Sequence, residues 1–165
     1  MTQRFRLERL RPDHEAALLD FERDNRAYFA ASIPDRGDDY FAAFDARHRE
    51  ILAMQAAGED HFHVLVEDGG AIVGRVNLFR VTNGSAELGY RIAERVAGKG
   101  LATHGVREVL DRAVTEYGLT EVTAKTTLDN LGSRVVLERV GFVVTGEITL
   151  NERPGLTYRR DLAAG

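Results

Sequence analysis

Arg95-Val96-Ala97-Gly98-Lys99-Gly100-Leu101-Ala102-Thr103 is the stretch on which the fold turns. It follows an apolar, strand-like run from Ala86 to Ile92 and opens a helical pattern that continues to about Tyr117. A further strand-like run, Glu121 to Leu128, completes a strand–loop–helix–strand unit. Glycines this close to a helix start let the backbone approach a ligand with no Cβ in the way. The first turn of a helix also carries N–H groups that no carbonyl inside the helix can satisfy. With the positive end of the helix dipole and the cations Arg95 and Lys99, those donors suit an anion such as a phosphate.

Outward from this unit, the amino-terminal side begins with Arg4 to Leu10, whose alternation suits a short strand. Pro12-Asp13 signals a helix start, and Ala16, Ala17, Leu18, Leu19 and Phe21 give that helix an apolar face. After a break at Ser32 to Gly37, Phe41, Phe44, His48, Ile51 and Leu52 predict a second helix from about Asp38 to Ala57. From His61 the period changes to two. Phe62, Val64 and Val66 alternate, Asp68-Gly69-Gly70 turns, and Ile72 to Phe79 returns as a hairpin. Asn83-Gly84 is a second turn, leading into Ala86 to Ile92. Beyond the glycine unit, Asn130 to Val140 reads as a short helix ended by Gly141, with closing strands at Phe142 to Leu150 and Leu156 to Asp161. The expectation is a mixed α/β (α+β) fold with a largely antiparallel sheet, whose one parallel pair flanks the glycine helix, because a strand–helix crossover normally returns parallel.

The chain of 165 residues reads as a single domain over 1–165, long enough for a good core. A net charge of −4 argues against nucleic acid as the main partner. There is no cysteine, hence no disulfide, thiol nucleophile or thiolate metal site. The polar start, Met1 to Glu8, does not read as a signal peptide, and no apolar run is long enough for a membrane span, so the expected compartment is cytoplasmic.

Arg95-x-x-Gly98-x-Gly100 after a strand resembles the acyl-coenzyme-A signature of the GNAT N-acetyltransferases. Glu87-Leu88-Gly89-Tyr90-Arg91-Ile92 before it, Asn130-x-x-Ser133 after it, and Leu137-Glu138-Arg139-Val140-Gly141-Phe142 further on resemble the RimJ/RimL branch. Order and spacing match over about Phe62 to Phe142; the amino-terminal helices resemble the branch in general layout. A Rossmann fingerprint would need a third small residue where Thr103 sits, and a Walker loop needs a Gly-Lys-[Ser/Thr] that is absent.

The resemblance implies a GNAT fold that binds acetyl-coenzyme A as co-substrate between the strand ending near Ile92 and the strand Glu121 to Leu128. The pyrophosphate would rest on the N–H groups of Val96, Gly98, Gly100, Leu101, Ala102 and Thr103, with charge from Arg95 and Lys99, and Asn130 on the pantetheine arm or capping its helix. It implies direct attack of a primary amine on the thioester, which needs a base, an oxyanion donor and a proton for the thiolate. By family analogy the donor is a backbone N–H near Ile92 or Ala93. Many members use a tyrosine as the acid where this chain has Leu137; Ser133 or a water takes that role here. Glu87 is the candidate base, acting directly or through water, or else a strand carboxylate paired with Arg75 or Arg91. Tyr28, Arg36, Tyr40 and Tyr90 are candidate acceptor-binding residues, Tyr90 also suiting the core. No metal is expected: His61 and His63 read as solvated strand-end histidines without a third ligand.

How much help the amine needs depends on its pKa, about 8 for an α-amine against about 10.4 for a lysine. The sparse catalytic apparatus therefore favours a protein or peptide N-terminal α-amine, as in ribosomal-protein-alanine acetyltransferases, or a small amine. A non-catalytic acyl-coenzyme-A-binding or sensor domain is the alternative that Leu137 motivates. Dimers occur in the family and nothing in the sequence marks an interface, so monomer and homodimer both stand.

Overall fold

A computed structural model describes residues 4–162; the terminal residues 1–3, read above for a targeting signal, and 163–165 lie outside the described part. In chain order come β1 (Phe5–Arg9), α1 (Glu15–Asp24), α2 (Arg26–Ala30), α3 (Asp38–Ala42), α4 (Phe44–Ala56), β2 (His61–Glu67), β3 (Ile72–Thr82) and β4 (Ser85–Ile92). They are followed by α5 (Leu101–Thr115), β5 (Glu121–Thr127), α6 (Leu131–Arg139), β6 (Val143–Leu150) and β7 (Arg153–Asp161). The strands form one seven-stranded sheet in the order β1-β2-β3-β4-β5-β7-β6. Every neighbouring pair is antiparallel except β4–β5, which is parallel. Both the mostly antiparallel sheet and the parallel pair around the glycine helix are as the sequence led us to expect.

Helices cover both faces of the sheet, and successive strand residues show which covers which. Arg75 on β3 reaches Glu22 of α1. Its neighbour Val76 faces α5, where a Cβ added at Gly105 would sit 3.3 Å from Val76 Cγ2 and 3.0 Å from Leu65 Cδ1. Gly105 thus lets α5 lie close on the strands while Val106, Val109, Leu110 and Ala113 are buried against them. Covered on both sides, β2 is buried along its whole length.

The expected helix from Asp38 to Ala57 is two helices, broken at Ala43 (φ −106°, ψ 27°). The break lets α4 turn Phe44, His48, Ile51 and Gln55 inward, while α3 has no buried residue and places the Tyr40 ring edge-on to Phe44. β3 runs on past Phe79 to Thr82 through an irregularity in pairing, where Arg80 sits at φ 53° and donates its N–H to Asp60 Oδ1 at 2.7 Å. β7 begins at Arg153 rather than Leu156, because Asn151 and Glu152, at φ 50° and 66°, make a tight turn directly from β6.

The parallel pair is short. Ser85, Ala86 and Glu87 face Glu121, Val122 and Thr123, and pairing then stops. β4 stays with β3 as far as Ile92, β5 stays with β7 as far as Thr127, and the twist of the sheet carries the two apart. A wedge opens between Leu88–Ile92 and Ala124–Thr127. No helix among the described residues is long and apolar enough to cross a membrane.

Candidate active site

At the open end of the wedge the chain leaves β4 and builds a rigid turn before α5. Ala93 N–H bonds to Val73 O at 2.9 Å, Val96 N–H to Ala93 O at 3.2 Å, and Ala97 N–H to Glu94 O at 3.1 Å. Asn25, at the junction of α1 and α2, accepts Glu94 N–H at 3.0 Å. Gly98 and Gly100 follow at φ 74° and 81°, a region in which a Cβ is strained, and a Cβ at either would point into open space. Protein hydrogen bonding resumes at His104 N–H, which bonds to Gly100 O at 3.0 Å. Between Gly98 and Thr103, therefore, a run of N–H groups has no protein acceptor among the described residues. The first turn of α5 carries no acidic side chain either, leaving the positive end of its dipole for an outside anion.

These donors border a groove of about 770 Å³ that runs down into the wedge. Of the residues singled out in the sequence, Ile92, Val96, Gly98, Gly100, Leu101, Ala102, Thr103, Asn130, Ser133, Tyr28 and Tyr90 line it. Others lie elsewhere. Lys99 is exposed on the turn. Arg95 is turned away from the groove and held by Glu67 in a fork of 3.0 and 2.5 Å, anchoring the turn to the end of β2. Ala93 has its N–H committed to Val73. Because successive strand N–H groups point to opposite edges, the N–H of Ile92 faces the wedge. Arg36 and Tyr40 sit on the α1 side of the sheet, the Arg36 guanidinium 4.9 Å from the Tyr40 ring centre.

Inside the wedge, Tyr90 of β4 donates its hydroxyl to Ser133 Oγ at 3.2 Å. Burial raises the pKa of the Tyr90 hydroxyl, the contact with Ser133 opposing that rise. Asn130 caps α6, its Oδ1 accepting Ser133 N–H at 3.1 Å. Leu137, where a tyrosine acid would stand, is buried in the groove wall.

Glu87 lies on the other face of β4 from Tyr90, beside the last rung of the parallel pair. It pairs with Arg80 and, at 3.3 Å, with Lys125, not with Arg75 or Arg91 as the sequence suggested. Those two arginines converge instead on Glu22, at 2.9 and 2.8 Å, with Arg36 at 3.8 Å. Burial pushes the Glu22 carboxyl up, but Arg75, Arg91 and Arg36 outweigh it and hold it below the ordinary range. Sequence reading missed this cluster, although its signal was present: a carboxylate on the apolar face of α1 and arginines interrupting two apolar strands. The cations Arg91, Lys125 and Arg139 line the groove, and no carboxylate among the described residues does.

The expectation of solvated histidines at the start of β2 is corrected by the structure. His61 and His63 are both buried, because Tyr117, just after α5, folds over that strand end. The His61 ring stacks on Tyr117 at 3.6 Å. His63 donates from Nδ1 to Val76 O at 3.0 Å and accepts the Tyr117 hydroxyl at Nε2 at 2.5 Å. Burial drives its pKa down to about 3. Among the described residues no group of three or more His, Cys, Asp or Glu side chains is placed to hold a metal ion.

The sequence matches the Acetyltransferase (GNAT) domain model over residues 4–143. A probable N-acetyltransferase, YjcK of Bacillus subtilis (strain 168), is 32% identical over 130 residues, covering 75% of this chain and 72% of that protein. The fold matches the crystal structure of ribosomal-protein-S5-alanine acetyltransferase from Vibrio fischeri with a TM-score of 0.91 at 18% identity, over 99% of this chain and 98% of the other. It also matches spermidine N-acetyltransferase from Vibrio cholerae, in complex with CoA and spermine, with a TM-score of 0.79 at 18% identity over 96% of each chain. The family model spans residues 4–143, which hold the free N–H groups, the glycine turn and the wedge, and this chain belongs to the GNAT family of acetyltransferases.

Proposed function

We propose that the protein transfers the acetyl group of acetyl-coenzyme A to a primary amine by direct attack, the acceptor being a protein or peptide N-terminal α-amine or a small amine of similar pKa. The observation that carries this reading is the alignment of the unsatisfied N–H groups of residues 98–103 with the groove. Diphosphate bound to those donors directs the rest of the coenzyme along the groove, with its thioester in the wedge. Ile92 N–H then supplies the oxyanion donor. Glu87, with its oxygens engaged by Arg80 and Lys125, takes the amine proton through a water rather than by direct contact.

The charge of the groove supports the choice among acceptors. Arg91 and Lys125, paired behind the wall with Glu22 and Glu87, and Arg139 line it with no lining carboxylate among the described residues, so nothing in the lining attracts the several positive charges of a polyamine. A peptide N-terminus needs to bring only one amine, part of it already neutral near pH 7. The test is release of free coenzyme A thiol by the purified protein with acetyl-coenzyme A and, in separate reactions, alanyl and seryl peptides, simple primary amines and spermidine. Peptide turnover above that with spermidine is expected. Spermidine as the best acceptor overturns the choice of acceptor, and no thiol release with any amine overturns the catalytic reading.

A further inference from the structure

Two hydroxyls touch in the wedge, and together they answer the question raised by Leu137. Ser133 is fixed from two sides: its N–H by Asn130 Oδ1 at 3.1 Å, and its Oγ by the Tyr90 hydroxyl at 3.2 Å. A serine hydroxyl carries one proton and rotates to suit its neighbours. With Tyr90 donating into one lone pair, the Ser133 proton points away from Tyr90, and Ser133 lines the open groove.

We propose that Tyr90 is a positioning residue for acetyl transfer: by donating to Ser133 Oγ, it turns the Ser133 proton toward the sulfur that leaves. The inference rests on the acetyl-coenzyme A reading above. In the step itself, the amine nitrogen bonds to the thioester carbon and the C–S bond breaks, the electron pair staying on sulfur. The thiolate accepts a hydrogen bond from Ser133, and the proton shed by nitrogen leaves through water. Neither hydroxyl loses its proton. Burial disfavours the tyrosinate, so Tyr90 remains a donor, and donors in series polarise one another in a low-dielectric site. The apolar Leu137 closes that part of the wall without offering an acid.

Product coenzyme A tests this without an identified acceptor. The ultraviolet absorbance of its thiolate, followed against pH when bound to the full-length protein, gives the ionisation of the bound thiol. In the unaltered protein the bound thiol should ionise below free coenzyme A by about one pH unit, as one hydrogen bond to a charged sulfur implies. Tyr90→Phe should remove most of that shift, Ser133→Ala all of it, and the double variant no more than Ser133→Ala. Ser133→Thr, which keeps the hydroxyl that Tyr90 donates to, should retain the shift that Ser133→Ala loses. Ionisation unchanged by Tyr90→Phe, or effects of the two variants that add, overturns the proposal while leaving the coenzyme reading intact. Failure of the unaltered protein to bind coenzyme A overturns the coenzyme reading and this inference with it.

Discussion

Acid should weaken this fold through His63, the more strongly shifted of the two buried histidines of β2. Its ring is fully buried, with Nδ1 committed to a backbone carbonyl and Nε2 to the Tyr117 hydroxyl, and its pKa falls to about 3 against an ordinary 6.5. The unfolded chain therefore binds a proton at His63 that the folded chain refuses at every pH between those values. Stability then rises with pH across that window. It is fully present above about 6.5 and is lost progressively as pH falls toward about 3. Between about pH 7.5 and about pH 5 the loss comes to about 2 kcal/mol. Urea unfolding of the ligand-free protein at steps between those two pH values measures it directly. A His63→Gln variant, itself destabilised, should lose that part of the pH slope. A stability that stays flat from about pH 7.5 to about pH 5, or a variant that keeps the parent slope, refutes the reasoning.

Glu22→Ala leaves Arg75 and Arg91 buried without their shared carboxylate and should cost about 3–5 kcal/mol, read as a fall in the urea midpoint. Gly100→Ala forces an L side chain to φ 81°, costing about 1–2 kcal/mol; its Cβ points into the open space beside the free N–H groups, so the thermal shift given by acetyl-coenzyme A should shrink as well. Glu87→Gln should move the acidic limb of the pH–rate profile if Glu87 is the base, and a profile of unchanged shape makes it structural.

How legible the molecule was in its sequence varied with the range of the interaction. Hairpins were readable because Asp68-Gly69-Gly70 and Asn83-Gly84 carry the turn chemistry locally, and Gly69, Gly70, Asn83 and Gly84 all adopt positive φ. The long helix proposed over Asp38 to Ala57 went wrong because its apolar spacing is continuous through Ala43, whose non-helical backbone divides it in the fold. His63 was misread for a similar reason. Nothing near it in sequence says that Tyr117 will cover it.

The sequence by itself determined the hairpins, the parallel unit around Gly98 and Gly100, and the free N–H groups that follow, since propensity, turn chemistry and helix-end geometry depend on neighbours a few residues apart. Charge and hydroxyl partners were decided only in three dimensions. Arg95 turned to Glu67 rather than the groove, Glu87 to Arg80 and Lys125, Glu22 to Arg75 and Arg91, and Tyr90 to Ser133. A side chain's partner is whichever group the sheet register and helix packing bring within about 3 Å, and for these residues that group is distant along the chain.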